Sequence, residues 1–199
     1  MTIFLTILGL GFLLGLRHAT DADHVIAIST LSAKEKSAKK SVIIGALWGI
    51  GHSAMVTIVG ILIIFFSLNI SKEFEKIMES SVGLMLVILG ITNVFNIRIK
   101  FFQTAKPLIV GLIHGLAGSA AIALLILATI KNMYEAAFYL LIFNFGVIVG
   151  MMIITTLIGT SFAYAKNKVN NLHKYLVLGS GMISIIFGLY IIYARTLKV

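Results

Sequence analysis

Arg17-His18-Ala19-Thr20-Asp21-Ala22-Asp23-His24 packs one arginine, two histidines and two aspartates into eight residues. Leu10-Gly11-Phe12-Leu13-Leu14-Gly15-Leu16 precedes it and Val25-Ile26-Ala27-Ile28 follows. Two further histidines sit in apolar surroundings: His52 in Trp48-Gly49-Ile50-Gly51-His52-Ser53, and His114 in His114-Gly115-Leu116-Ala117-Gly118-Ser119. Charge within a membrane span is costly and by default marks a functional site. Imidazole plus carboxylate without sulfur is a ligand set for Ni²⁺, Co²⁺, Zn²⁺ or Cu²⁺, and suits Mg²⁺ or Ca²⁺ less. The chain has no cysteine, which excludes thiolate sites, iron–sulfur clusters and disulfides. The candidate metal ligands are therefore His18, Asp21, Asp23, His24, His52 and His114. His173 stands beside Lys174 in a basic loop and reads as solvated.

On a regular helix each residue advances 100°. With His18 at 0°, Asp21 falls at about 300°, Arg17 at about 260° and His24 at about 240°, all on one stripe, while Asp23 falls at about 140° on the far face. Arg17 and Asp21 are then placed to pair across a turn, which would leave Asp21 neutralising Arg17. Asp23 joins the others only if the helix unwinds near Ala22, as helices at transporter sites do.

The elements that carry these groups are set by composition. The chain is 59% hydrophobic and 12% charged over 199 residues, with a mean hydropathy of +1.07. A soluble domain cannot hide so much apolar surface, so this is an integral membrane protein. The net charge of +9 falls in short clusters between apolar runs, not on one continuous face, which argues against nucleic acid as a partner. The apolar N-terminus has no basic leader and no small-residue cleavage site, so it reads as a first span.

Six apolar segments run over 2–31, 41–67, 78–98, 107–130, 136–163 and 174–194. Each is near or above the ~20 residues that cross a bilayer. The first would reach roughly 45 Å as one helix against a ~30 Å hydrocarbon core, so it either tilts strongly or breaks near the motif. Loops 32–40, 98–106 and 164–174 each carry a net charge of +3; the other two connections carry −1 and zero. That alternation fits six spans with the basic loops in the cytoplasm and both termini outside.

The chain also reads as duplicated. Gly15-Leu16-Arg17-His18 matches Gly111-Leu112-Ile113-His114, Gly49-Ile50-Gly51 matches Asn144-Phe145-Gly146, and Gly83/Gly90 matches Gly181/Gly188, at offsets of 96, 95 and 98 residues. Three spans per copy force the second copy in from the opposite side. The expected fold is all-α: one membrane domain over 1–199, an inverted 3+3 repeat of 1–100 and 101–199 with the substrate site near the midplane. Gly11/Gly15, Gly45/Gly49, Gly111/Gly115 and Gly146/Gly150 read as close helix packing. Met55, Met151 and Met152 read as packing rather than as copper ligands.

Arg17 to Val25, RHATDADHV, closely resembles the nickel–cobalt transporter signature RHAxDADHI with its HX₄DH core, and Trp48 to Val56, WGIGHSAMV, resembles that family's next motif. The resemblance implies a permease for divalent nickel or cobalt within the wider lysine-exporter superfamily. It also implies that His18, Asp23 and His24 select the metal, with His52 contributing. Two departures stand beside it. Full-length members look like eight-span proteins with the N-terminus inside, so this chain would lack the leading span. The family's acidic LGxDTATE motif is replaced by HGLAGSAAI over His114 to Ile122, as in the compact urease-accessory-like relatives. The site is then drawn mainly from the first repeat, unless a homo-oligomer lets a second chain complete it.

The sequence thus points to a multi-pass plasma-membrane permease, not an enzyme, with Ni²⁺ or Co²⁺ as substrate and no prosthetic group. Its partners are the metal ion and the lipid bilayer. The rival readings are a haem-binding or other non-transporting membrane protein with histidine axial ligands, and a proton-coupled carrier of an organic substrate. The bland reading makes His18 and His24 donors to backbone carbonyls at a helix break, and His52 an interhelical hydrogen bond beside Ser53.

Overall fold

The computed structural model describes residues 2–33, 37–66, 71–97, 106–117, 127, 129–130, 132–168 and 172–196. The described residues form seven helices and no strand: α1 (Thr2–His18), α2 (Ala22–Ser32), α3 (Ala38–Phe66), α4 (Lys72–Val94), α5 (Lys106–Leu116), α6 (Met133–Lys168) and α7 (Leu172–Thr196). Four contain stretches long and apolar enough to cross a membrane: Lys39–Leu62, Lys72–Val94, Met133–Ala165 and Leu172–Thr196. Leu5–His18 and Lys106–Leu116 are shorter apolar helices. Much of the run expected over 107–130, including Gly118 and Ser119, lies outside the described residues, as do Lys34, Glu35, Lys36, Arg98, Lys100 and Lys131 of the loops.

The first apolar run is not one helix. It breaks at Ala19-Thr20-Asp21, within the polar motif. Thr20 N–H bonds to Arg17 O at 2.8 Å and Asp21 N–H to His18 O at 3.1 Å, so the last turn of α1 tightens to three-residue closures. Asp21 is then extended (φ −60°, ψ 146°) and starts α2, with Val25 N–H bonding to its carbonyl at 3.0 Å. Thr and Asp favour such positions because their side chains compete for backbone partners. Asp21 makes no side-chain cap bond, its carboxylate being engaged elsewhere. α5 stops the same way: Ala117 N–H bonds to His114 O at 3.1 Å. Each histidine thus stands at the end of an apolar helix.

At the other boundaries the chemistry is ordinary. Ser71 Oγ accepts Phe74 N–H at 3.2 Å and caps α4, with Glu73 and Glu75 in its first turn, where the helix dipole favours acids. Asn96, at φ 52°, takes the left-handed conformation just beyond the end of α4.

Packing crosses between the halves. α1 packs chiefly on α6, α5 on α3, α3 on α6, and α4 on α7. Glycine makes these approaches possible. A Cβ on Gly15 would land on the Phe143 carbonyl of α6; one on Gly111 would land on the Trp48 carbonyl of α3. Gly51 abuts Leu108 O, and Gly146 abuts Phe12 O. On the α4–α7 pair, Gly83 meets Gly188 and Gly90 meets Gly181, each against the other's carbonyl. The small-residue pairs expected to pack closely do so. Polar bonds pin the same crossings: Ser184 Oγ–H donates to Leu86 O at 2.7 Å, and Asn93 Nδ2–H to Thr30 O at 2.8 Å. Leu5, Leu13, Ile58, Phe145, Leu157 and Ile186 face outward as apolar surface.

Candidate metal centre

The break in the first run brings the motif together with two distant helices. His18 ends α1, Asp23 and His24 lie in the first turn of α2, His52 sits near the middle of α3, and His114 stands near the end of α5. His24, His52 and His114 are fully buried, His18 is 6% exposed and Asp23 is 17% exposed. Gly111 and Gly115 let α5 lie against the backbone of His52, which puts His52 and His114 on adjoining surfaces. Asp23 at the start of α2 sits where the helix dipole stabilises a carboxylate.

Two overlapping groups result. The ligand atoms of His18, His24 and His52 lie within 4.8 Å of one another, and so do those of Asp23, His24 and His114. Their rings are in contact: His18–His24 centroids are 4.7 Å apart, His18–His52 4.9 Å, and His24–His114 4.8 Å.

The hydrogen bonds fix the tautomers. His18 Nδ1–H donates to Asp21 Oδ2 at 2.9 Å, and His24 Nδ1–H donates to Asp23 Oδ1 at 3.0 Å. His114 Nδ1 faces Val110 O at 3.1 Å, and a carbonyl only accepts, so that nitrogen also carries the proton. A neutral imidazole held through Nδ1–H in this way presents Nε2 as a lone pair. His24 Nε2 and His114 Nε2 are buried without a hydrogen-bond partner, as is His52 Nδ1. His18 Nε2 lies 3.0 Å from His52 Nε2. Two nitrogens ~2.1 Å from one ion at a right angle stand about that far apart. His114 Nε2 faces Asp23 Oδ2 at 3.8 Å, one lone-pair atom opposite another. Histidines held through Nδ1 by carboxylate or carbonyl, with Nε2 turned inward, are the usual outer-shell arrangement of metal-binding imidazoles.

Several expectations change. Asp21 pairs with His18, not Arg17; no ion pair joins Arg17 to Asp21 among the described residues, and Arg17 is exposed. Asp21 is 40% exposed, belongs to neither group and accepts the His18 Nδ1–H. Asp23, on the far face of a regular helix, comes round because the helix is broken. His24 bonds to Asp23 and His18 to Asp21, not to carbonyls at the break, while His52 does make an interhelical hydrogen bond, to His18 Nε2 at 3.0 Å, and Ser53 Oγ–H reaches Asn144 O. His173 is in neither group.

Two aromatic walls had no metal signal of their own. Trp48 stacks on His24 (centroids 5.3 Å, 26°) and meets His114 edge-on at 5.0 Å. Phe143 of α6 lies 5.9 Å from the His18 ring. Trp48 is the only tryptophan and stands four residues before His52, hence on the same face of α3.

Fold and centre define an all-helical, multi-pass membrane protein whose buried histidines and aspartate could hold a transition-metal ion. Comparison with known proteins agrees. Residues 4–108 match the NicO family model, described as high-affinity nickel-transport protein. The chain is 36% identical to the urease accessory protein UreH of Bacillus sp., over 95% of this chain and 91% of that protein. It is 30% identical to a Methanocaldococcus jannaschii protein named as a nickel/cobalt efflux system, over 91% of this chain and 89% of that one. It is 27% identical to the chloroplast protein FOR GROWTH AND FERTILITY 1 of Arabidopsis thaliana, over 92% of this chain and 57% of that protein's length. No solved structure matches. The chain belongs to the NicO nickel-transport family.

Proposed function

We infer that this protein carries divalent transition-metal ions, Ni²⁺ foremost and Co²⁺ with it, across the plasma membrane. It acts as a carrier and not as an enzyme, with the metal as cargo. The observation that carries the reading is the convergence of His18, Asp23, His24, His52 and His114 inside the membrane domain, with His24 Nε2, His114 Nε2 and His52 Nδ1 buried and unpartnered. Such a set is costly among apolar helices unless a cation repays it. Family membership and the names of the relatives support the same substrate.

In this reading the hydrated ion loses water to the imidazoles and Asp23, with Asp21 holding His18 in register. The six apolar runs act as spans in an inverted 3+3 repeat, 1–100 and 101–199, with basic loops in the cytoplasm and both termini outside. The paired glycine contacts of α1 on α6 and α5 on α3 support that repeat. Rocking of one half against the other exposes the ions alternately. A divalent ion crossing ~100 mV gains or loses about 4.6 kcal/mol, so uptake runs downhill with no coupling ion.

The test is Ni²⁺ flux into proteoliposomes, comparing wild type with His18→Ala and Asp23→Asn. Flux should be lost in both variants. Undiminished flux in both would remove these residues from the pathway.

A further inference from the structure

The donors fall into two groups with one member in common. His18, His24 and His52 form a group of three nitrogens without a carboxylate. His52 Nε2–H donates to His18 Nε2 at 3.0 Å, so His52 joins the shell by moving that proton to its unpartnered Nδ1. Asp23, His24 and His114 form a group with two nitrogens and one carboxylate. His24 belongs to both. A neutral imidazole has one lone pair, because its other nitrogen carries the proton. In His24 that proton is on Nδ1, held by Asp23. His24 can therefore bind an ion in one group at a time.

We propose that these groups are two successive stations for a single Ni²⁺, and that the ion passes between them on His24 without letting go. This rests on the transport reading above. Asp23 suits the role, since Oδ1 holds the His24 proton while Oδ2 faces His114. The stations differ in charge. Three neutral imidazoles leave both charges of the ion uncompensated in a low-dielectric interior, whereas the second group supplies a negative charge. The carboxylate group is the resting station and the three-imidazole group the passing one. The break at Ala19-Thr20-Asp21 separates them mechanically: His18 belongs to α1, Asp23 and His24 to α2. A change of angle there moves His18 relative to the other station and leaves the Asp23–His24 bond intact.

The experiment uses full-length protein and Ni²⁺ alone. His52→Leu and His114→Leu each remove one station's private donor while filling its volume; His52→Ala and His114→Ala serve if the leucine variants do not fold. Equilibrium dialysis should find one Ni²⁺ per chain in wild type and in each single variant. X-ray absorption should read three imidazoles and no carboxylate without His114, and two imidazoles with a carboxylate without His52. Flux into proteoliposomes should fall at least ~10-fold in both, as expected when a binding shell is broken. Loss of binding in either single variant would mean one undivided site and overturn the relay. So would two ions per wild-type chain, or full flux in either variant. A wild type that binds no Ni²⁺ would instead overturn the transport reading itself.

Discussion

Asp23 Oδ2 stands 3.8 Å from His114 Nε2, joining the first half of the chain to the second. His114 donates its Nδ1–H to Val110 O, and Asp23 accepts the His24 Nδ1–H on its other oxygen. What remain face to face are two electron-rich atoms. A cation between them would satisfy both, a placement that no arrangement along the Asp23 helix alone would provide.

Asp23→Asn keeps the shape of the side chain and an oxygen for His24, and removes the charge. Ni²⁺ affinity should fall at least ~10-fold, by the scale of metal-site substitutions. Titration calorimetry on detergent-purified protein reads it directly, and an unchanged affinity would exclude Asp23 from the shell.

Asp21 acts one step away. Asp21→Ala frees the His18 ring to turn and should slow Ni²⁺ flux about 10- to 100-fold while the ion bound at Asp23, His24 and His114 is kept. Asp21→Asn, which can still accept from Nδ1, should restore part of the loss. If X-ray absorption instead shows an oxygen ligand disappearing with Asp21→Ala, Asp21 is a ligand after all.

The motif's types and spacing made the centre legible, but not its internal pairing. A wheel drawn through Arg17 to His24 assumes one regular helix, and on that wheel Asp21 meets Arg17 while Asp23 looks away. The break at Ala19-Thr20-Asp21 invalidates both angles at once. Length alone left a strong tilt or a break near the motif, and did not say which or at which residue. Trp48 was visible as part of a motif, yet its stack on His24 depends on how α2 crosses α3, which no local pattern encodes. The glycine spacings likewise announced close packing but not that α1 would seek α6.

Trp48→Ala should open a void beside His24 and His114 and lower stability by roughly 3–5 kcal/mol, the range for buried aromatics. Trp48→Phe, which keeps a stacking face, should cost far less. Thermal unfolding in detergent separates the two, and equal melting temperatures would show that Trp48 is no support.

Glycines give a matched comparison. Gly15→Ala and Gly111→Ala drive a methyl into backbone of α6 and α3 respectively, and each should destabilise by ~1–3 kcal/mol or more. Gly9→Ala meets nothing within 4 Å and should stay within ~0.5 kcal/mol of wild type. Similar losses at all three positions would break the link between these glycines and the helix crossings.

The exchange of partners between halves also bears on how the chain is made. α1 ends at His18, but its partner α6 begins at Met133. At ~5–20 residues per second, synthesis of the intervening chain takes roughly 6–23 s. Throughout that interval the Gly11–Gly15 face of α1 must rest on lipid or on the insertion machinery, so the first half waits in the bilayer, its ion pathway unbuilt, until its counterpart arrives.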